Sequence, residues 1–272
     1  MGYVEEMFGL EDKVIVITGA GGALAGAVAE GCLRAGAKVA LWVHREETVA
    51  QTAARHAEAA ADPKRVFALA VDAGDKAAVA EAYRKTQDAL GSPNVLVNAV
   101  GGNRGKTAFV DADLKVFEDI LRLNLLSGLM VPTQVFAAEW IRAKIPGSII
   151  NFASMGSYIP LSGVWAYNAA KAGVLNLTVA CAKEFGGAGI RVNAIAPGFF
   201  LGQQNKALLV ANEATGELTP RGADVTRRTP RGRFGKAEEL RGAALFLASD
   251  RASGFVTGVC IPVDGGFLAD NI

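Results

Sequence analysis

The feature that most constrains this chain is a repeated alternation. Short apolar, mostly β-branched runs at 13–18, 38–43, 66–71, 95–98, 148–152, 191–195 and 260–263 are separated by alanine-rich helical patterns at 24–35, 46–60, 75–90, 113–144, 165–185 and 236–248. Most of the runs are apolar throughout rather than alternating, the pattern of strands covered on both faces. Repeated strand–helix–strand units of this kind predict an α/β fold: a doubly wound, three-layer sandwich around a parallel sheet of seven strands. No linker, repeat or low-complexity stretch interrupts the pattern, so residues 1–272 read as one domain. The exception is 199–235, a Gly-, Arg- and Thr-rich excursion after a strand end. Ligands in open α/β sheets bind beyond the carboxyl ends of strands, so this segment is a candidate substrate lid, with a solvated insertion as the alternative.

Composition removes several function classes. With 51% hydrophobic residues there is ample material for a core, and a formal net charge of +1 gives no electrostatic footprint for nucleic acid or an anionic membrane. Cys32, Cys181 and Cys260 are far apart and odd in number, which suits buried thiols in a reducing compartment better than a disulfide framework. The only histidines, His44 and His56, belong to no ligand cluster, so no metal is expected. Residues 1–12 carry four acids and no base, unlike a signal peptide, and Glu6 stands where a myristoylation motif wants Ser or Thr. No apolar run approaches the roughly 20 residues of a membrane span. These features predict a soluble cytoplasmic protein acting on a small molecule.

Two clusters carry chemistry. The first strand leads into Thr18-Gly19-Ala20-Gly21-Gly22-Ala23-Leu24-Ala25-Gly26. A glycine-rich bend between strand and helix lets the backbone from Gly19 to Leu24 approach a pyrophosphate, and the following helix N-terminus favours its charge. The second strand ends Trp42-Val43-His44-Arg45, with no acid before Glu46. An acid there suits the ribose hydroxyls of NAD, whereas a base suits the 2′-phosphate of NADP. His44 and Arg45 therefore favour NADP(H), with NAD(H) as the alternative if both are solvated. Asp72, with Ala73 beside it, is a candidate for the adenine amino group, and Asn98-Ala99-Val100-Gly101 lets small residues pass close to the adenosine ribose. The second cluster is Tyr167-Asn168-Ala169-Ala170-Lys171. Residues four apart share a helix face. An ammonium ~4 Å from the phenol at an effective dielectric of ~20 is worth ~4 kcal/mol, about three pKa units, bringing the phenol toward a working range. Ser154, just past the strand at 148–152, offers a hydroxyl for a substrate oxygen, and Asn124 in an apolar helix is placed to loosen that helix and hold a water.

Taken together these motifs resemble the short-chain dehydrogenases/reductases (SDR) over essentially the whole chain. The matching landmarks are Thr18-Gly19, Asp72, Asn98 to Gly101, Asn124, Ser154, Tyr167 with Lys171, Pro197-Gly198 and Val263-Asp264-Gly265-Gly266. The resemblance implies a Rossmann-type fold and a catalytic tetrad. In it Tyr167 is the acid/base, Lys171 lowers its pKa and bonds the nicotinamide ribose, Ser154 orients the substrate oxygen, and Asn124 supports a relay water. Pro197, Gly198 and Phe200 would flank the nicotinamide. A homotetramer built through the helices at 113–144 and 165–185 is also implied. Two departures stand out: Ala23 and Ala25 replace the family's second and third turn glycines, and Gly202 falls where a Thr usually bonds the carboxamide. A narrower likeness, in Ala99 to Asn103, Pro197 to Phe200 with Gln204-Asn205, and Thr229 to Gly235, is to the D-mannonate oxidoreductase (fructuronate reductase) branch, which reduces the keto group of a hexuronate. Gly102, Asn103, Arg104, Lys106, Gln204, Asn205, Arg231 and Arg233 offer contacts for such a substrate, with Ser154 and Tyr167 at its reacting end. Gluconate, another polyol, a cyclic alcohol behind an apolar lid, and a catalytically silent nucleotide-binding regulator are the alternatives.

Overall fold

The computed structural model describes residues 2–202 and 206–270. In chain order the main elements are α1 (Tyr3–Phe8), β1 (Val14–Thr18), α2 (Ala23–Arg34), β2 (Lys38–Val43), α3 (Val49–Ala57), β3 (Val66–Ala70), α4 (Lys76–Leu90), β4 (Val95–Asn98) and α5 (Leu114–Leu121). A π-helical stretch (Arg122–Met130) follows, then α6 (Val131–Ala143), β5 (Gly147–Phe152), α7 (Trp165–Phe185) and β6 (Ile190–Pro197). The remainder is α8 (Lys206–Leu209), β7 (Val210–Asn212), β8 (Glu217–Leu218), α9 (Pro220–Arg228), α10 (Arg241–Ala248), α11 (Asp250–Ser253) and β9 (Cys260–Val263).

Seven strands form one parallel sheet in the order β3-β2-β1-β4-β5-β6-β9. The order reverses between β1 and β4, and that switch point is where such sheets open a crevice. Strand residues alternate between the two faces. Ile15, Ile17, Val39, Leu41, Val97 and Ile150 pack with Val28, Cys32 and Leu33 of α2 and Ala244 and Leu247 of α10. Val14, Val16, Trp42, Leu96, Ile149 and Val192 pack with α4 and α6. Two buried faces explain why the strands read as continuous apolar runs. An aromatic cluster of Trp42, Tyr83, Phe136 and Trp140, with centroids 5.0–5.6 Å apart, fills the second layer.

The fold is the one expected, with local differences. The helix expected over 113–144 is continuous from Leu114 to Ala143 but widens to π geometry for nine residues around Asn124. At 30 residues it is long and apolar enough to cross a membrane by length and composition, contrary to the sequence expectation; 56% of its most apolar window is buried inside the protein, where it packs on α4 and α7. The excursion at 199–235 is not a plain loop. It carries α8, the antiparallel pair β7–β8, and α9, whose first turn is capped by the Thr219 hydroxyl accepting from Gly222 N–H at 3.0 Å. Its two ends meet just beyond β6, where Phe200 and Gly235 form an isolated parallel bridge and Gly235 N–H donates to Phe199 C=O at 2.9 Å.

Gly147 at the start of β5 shows how tightly the second layer is filled. A Cβ there would lie 2.3 Å from the Trp140 ring, and that indole is fully buried and anchored by Nε1 donating to Pro93 C=O at 2.7 Å. The Gly147→Ala protein is expected to lose about 1–3 kcal/mol to overpacking, a fall in Tm of roughly 2–4 °C per kcal/mol. Calorimetry that finds an unchanged Tm would show that Trp140 relaxes without cost.

Candidate active site

A cleft of 960 Å³ opens beyond the carboxyl ends of the central strands and runs from the first glycine bend to Tyr167. At its near end Gly19 adopts φ +65°, and a Cβ there would meet Ala99 C=O at 3.0 Å. Glycine is required on both counts. The Thr18 hydroxyl ties this bend to the β4 end by accepting from Ala99 N–H at 3.1 Å. Helix α2 starts without a side-chain cap at Gly22, and Ala23, Leu24 and Ala25 stand on the cleft wall. Their first-turn N–H groups have no intrahelical acceptor, so the cleft presents a ready seat for a pyrophosphate. The substitution of two turn glycines by Ala23 and Ala25 leaves this seat open, since both residues lie within the helix.

The adenosine-side wall is built from Val43, His44, Asp72, Ala73, Ala99 and Val100. Asp72 Oδ1 accepts from Gly74 N–H at 2.8 Å, which fixes its carboxylate in a tight turn. Two sequence expectations are corrected at this level. Arg45 is not on the wall; its Nε lies 3.6 Å from Glu47 Oε1 and both side chains are solvated. Asn98 is not on it either: its side chain is wholly buried, donating to Thr133 Oγ1 at 3.1 Å and Asn151 Oδ1 at 2.9 Å. It ties β4 to β5 and α6 inside the core, because the last strand residue points its side chain into the layer rather than the crevice. Arg55 of α3, which sequence reasoning missed, does line the cleft, as do Trp42, Ser127, Met155 and Leu161. No periodicity signal marks Arg55, because its place depends on how α3 docks.

At the far end Ser154, Tyr167 and Lys171 come together with Pro197, Gly198 and Phe200. Gly198 is packed so closely on β9 that a Cβ would lie 2.5 Å from Asp264 Cα. Ser154 ends the β5 turn, accepting from Gly156 N–H at 3.0 Å, and hydrogen-bonds the Tyr167 phenol. Lys171 shares the Tyr167 face of α7; its Nζ is 5.8 Å from the ring centroid and donates to Phe152 C=O at 2.6 Å. Burial holds the ammonium down at about 8, and burial raises the Tyr167 phenol above its usual value, with the Ser154 bond opposing that rise. The expectation that Lys171 lowers the Tyr167 pKa is therefore not met by these side chains alone. The amine is directed at the Phe152 carbonyl, and its Nζ lies 5.8 Å from the centre of the phenol ring.

Asn124 is fully buried, off the cleft surface. Its Oδ1 accepts from Gly102 N–H at 3.0 Å, and its Nδ2 donates to Gly102 C=O at 2.7 Å and to Ile120 C=O at 2.9 Å. The expected loosened helix is present, with the amide clamping the loop after β4. The same packing makes Gly101 obligatory, since a Cβ there would fall 2.7 Å from Asn124 Oδ1 and 3.3 Å from Lys171 Nζ.

The expected substrate contacts divide. Gly102 lines the cleft. Asn103 and Arg104 do not: the first donates to Gly105 C=O at 2.7 Å, the second leans toward Asp119 at 4.0 Å, and both are exposed. Arg231 lies in an adjoining 120 Å³ cavity that shares Phe199 and Phe200 with the main cleft. Arg233 is held by Glu239 through two bonds of 2.8 and 2.7 Å, which drive that carboxyl down to about 2. Gln204 and Asn205 lie outside the described residues. Among the described residues no group of His, Cys, Asp and Glu is arranged to hold a metal ion.

Residues 19–268 match the family model described as Enoyl-(Acyl carrier protein) reductase. The chain is 38% identical to the uncharacterized oxidoreductase UxuB of Bacillus subtilis, covering 96% of each chain. Among solved structures it is similar to a Haemophilus influenzae protein provisionally named a D-mannonate oxidoreductase, with NAD bound, at 34% identity and a TM-score of 0.88 over 98% of this chain and 99% of that one. It is also similar to a gluconate 5-dehydrogenase of Burkholderia cenocepacia in complex with NADP and tartrate, at 30% identity and a TM-score of 0.86 over 98% of this chain and 99% of that one.

Proposed function

Because the chain belongs to the short-chain dehydrogenase/reductase family, we propose that it transfers a hydride between a nicotinamide dinucleotide and the carbonyl or secondary alcohol carbon of a sugar acid, with D-fructuronate/D-mannonate the leading pair. The observation that carries this is the single cleft joining the uncapped start of α2 to the Ser154–Tyr167–Lys171 group. The residues fit the cofactor. The backbone at Gly19–Leu24 would hold the pyrophosphate, Asp72 and Ala73 the adenine, Lys171 the nicotinamide ribose, and Pro197, Gly198 and Phe200 the far side of the ring. The absence of an acid at the end of β2 favours NADP(H) over NAD(H).

When bound, the nicotinamide supplies or accepts the hydride. The chain's own residues manage the proton. The Tyr167 phenol, kept protonated by burial, donates to the carbonyl oxygen during reduction and takes the proton back during oxidation. Ser154 hydrogen-bonds the same oxygen as its charge grows. Lys171, anchored on the Phe152 carbonyl, would position the nicotinamide ribose beside the phenol. Asn124 holds Gly102, and so the cleft wall facing the reacting carbon.

The hexuronate assignment is supported by likeness to the Haemophilus influenzae protein and by the Arg231 cavity beside Phe199 and Phe200. Gluconate is the second reading, favoured by likeness to the Burkholderia cenocepacia enzyme. A silent regulator has no need of Ser154, Tyr167 and Lys171 in contact. Assembly into a homotetramer belongs to the same proposal. The α5–α7 side leaves Leu114, Leu126 and Val179 exposed, apolar side chains that a second copy would cover. Steady-state rates with D-fructuronate and with 5-ketogluconate, each with NADPH and NADH, test the substrate. Turnover of D-fructuronate supports the leading pair. Turnover of 5-ketogluconate alone transfers the assignment to gluconate, and no turnover of either with either cofactor removes the sugar-acid claim.

A further inference from the structure

The loop between β5 and α7 touches the cleft at two places and leaves it in between. Ser154 and Met155 line the cleft, Tyr158 and Ile159 are exposed, and Leu161 returns to the cleft wall. A single side chain brings it back. Asn168, the fourth residue of α7, accepts from Leu161 N–H at 3.2 Å through Oδ1 and donates to Leu161 C=O at 2.8 Å through Nδ2. The amide pairs with that backbone as a neighbouring strand would, and among the described residues Leu161 is held by no other hydrogen bond. Asn168 Oδ1 also fills the space over Gly156, where a Cβ would lie 3.0 Å away, and Gly156 N–H donates to Ser154 Oγ at 3.0 Å. One carboxamide therefore joins the turn that follows Ser154 to the residue that re-enters the cleft. Farther along, Thr107 N–H donates to Gly163 C=O at 3.2 Å and Trp165 Nε1 donates to Thr107 C=O at 3.1 Å, which ties the loop to the one after β4 without holding Leu161. Asn168 is itself off the cleft surface, and neither of its bonds involves Tyr167 or Lys171.

We propose that Asn168 is a positioning residue, which sets the place of the Leu161 side chain on the wall shared with Ser154 and Tyr167 and thereby decides how closely a carbonyl compound fits there. The inference rests on the proposal that this cleft reduces a carbonyl substrate, and it adds a residue that acts on that substrate through another. A carboxamide offers both a donor and an acceptor to one residue's backbone. An aspartate keeps the acceptor for Leu161 N–H but sets a carboxylate oxygen against Leu161 C=O, so the loop must shift. The first turn of a helix suits an acid, so α7 itself is not disturbed. A wall displaced by this route weakens ground state and transition state alike, which raises KM and spares kcat.

The test is steady-state kinetics of carbonyl reduction by the full-length protein and its Asn168→Asp, Leu161→Ala and doubly substituted variants. The substrate is whichever of D-fructuronate, 5-ketogluconate and cyclohexanone the wild type turns over fastest. Dinucleotide affinity is followed by fluorescence, and a thermal melt verifies folding. Asn168→Asp is expected to raise KM for the carbonyl compound by about 10- to 100-fold, with kcat and dinucleotide affinity within about threefold of wild type. Leu161→Ala should raise KM as well, and adding Asn168→Asp to it should cost less than about threefold more, because the side chain that Asn168 places is already gone. Asn168→Ala, which removes both bonds without adding charge, should move KM in the same direction. An unchanged KM in Asn168→Asp overturns the inference. So does a rise that multiplies fully with that of Leu161→Ala, or a loss of dinucleotide affinity as large as the rise in KM, which would mark distortion of the whole cleft. Failure of both Asn168 variants to fold also overturns it, by making the amide a structural post. If the wild type turns over none of the three compounds with NADPH or NADH, the oxidoreductase proposal itself has failed, and this inference with it.

Discussion

Tyr167→Phe is expected to lower kcat for carbonyl reduction by about 10²- to 10⁴-fold, the range that positioned acid–base groups supply, while the affinity for the dinucleotide, followed by fluorescence, changes by less than about threefold. The substitution removes one oxygen from a side chain whose ring packs beside Ser154 and Lys171, so the cleft keeps its shape. The direction of the phenol's shift adds a second readout. Burial raises the Tyr167 pKa, so the group carries its proton through neutral pH. Reduction in the wild type should be flat through neutral pH and fall in base, whereas alcohol oxidation, which needs the phenolate, should rise with pH. A variant retaining more than a tenth of wild-type kcat would remove Tyr167 from its role.

Lys171→Met should have opposite effects on stability and activity. The amine is buried and its pKa is held down to about 8 from 10.5. The unfolded chain therefore binds this proton more tightly than the folded one. Stability rises with pH between about 8 and 10.5 on account of this group, and below 8 the full penalty applies. The difference of 2.5 units between 10.5 and 8 corresponds to about 3 kcal/mol as an upper bound. An apolar side chain of similar length escapes that penalty, so at pH 7 the protein without ligand should melt roughly 5–10 °C higher. It loses the bond to Phe152 C=O, which reduces the gain. Cys32, whose thiol burial pushes up to about 12 from 9.0, gives an opposing fall in stability above pH 9. The informative quantity is therefore the difference in Tm between variant and wild type at each pH, which should shrink from pH 8 to 10.5. Turnover should fall at least 10²-fold, since the amine that would hold the nicotinamide ribose beside Tyr167 is gone. A lower Tm at pH 7 would contradict the stability half of this prediction.

Much of this was legible in the sequence because it depends on local pattern. Strands buried on both faces read as unbroken apolar runs, and the i, i+4 spacing puts Tyr167 and Lys171 on one side of α7. Asn124 was readable as a disturbance in its helix, and the π stretch is that disturbance. What escaped depends on distant packing. Arg45 and Arg55 are both bases near the end of β2, and only the docking of His56 against Gly26 brings the more distant one to the crevice. Asn98 and Ala99 are adjacent, yet one side chain goes into the core and the other to the wall, a choice set by strand phase at the last residue. The influence expected of Lys171 on Tyr167 needed a charged amine about 4 Å away, and residue spacing could not reveal that the Phe152 carbonyl claims it.

The bridge between Phe200 and Gly235 has a consequence for where the excursion can change in length. Because the two ends of the excursion are stitched to each other, a change of length in the exposed turn between β7 and β8 need not pull on β6. The stem is less free: Arg231 N–H donates to Gly265 C=O at 3.1 Å, so a change there would carry through to the loop that follows β9.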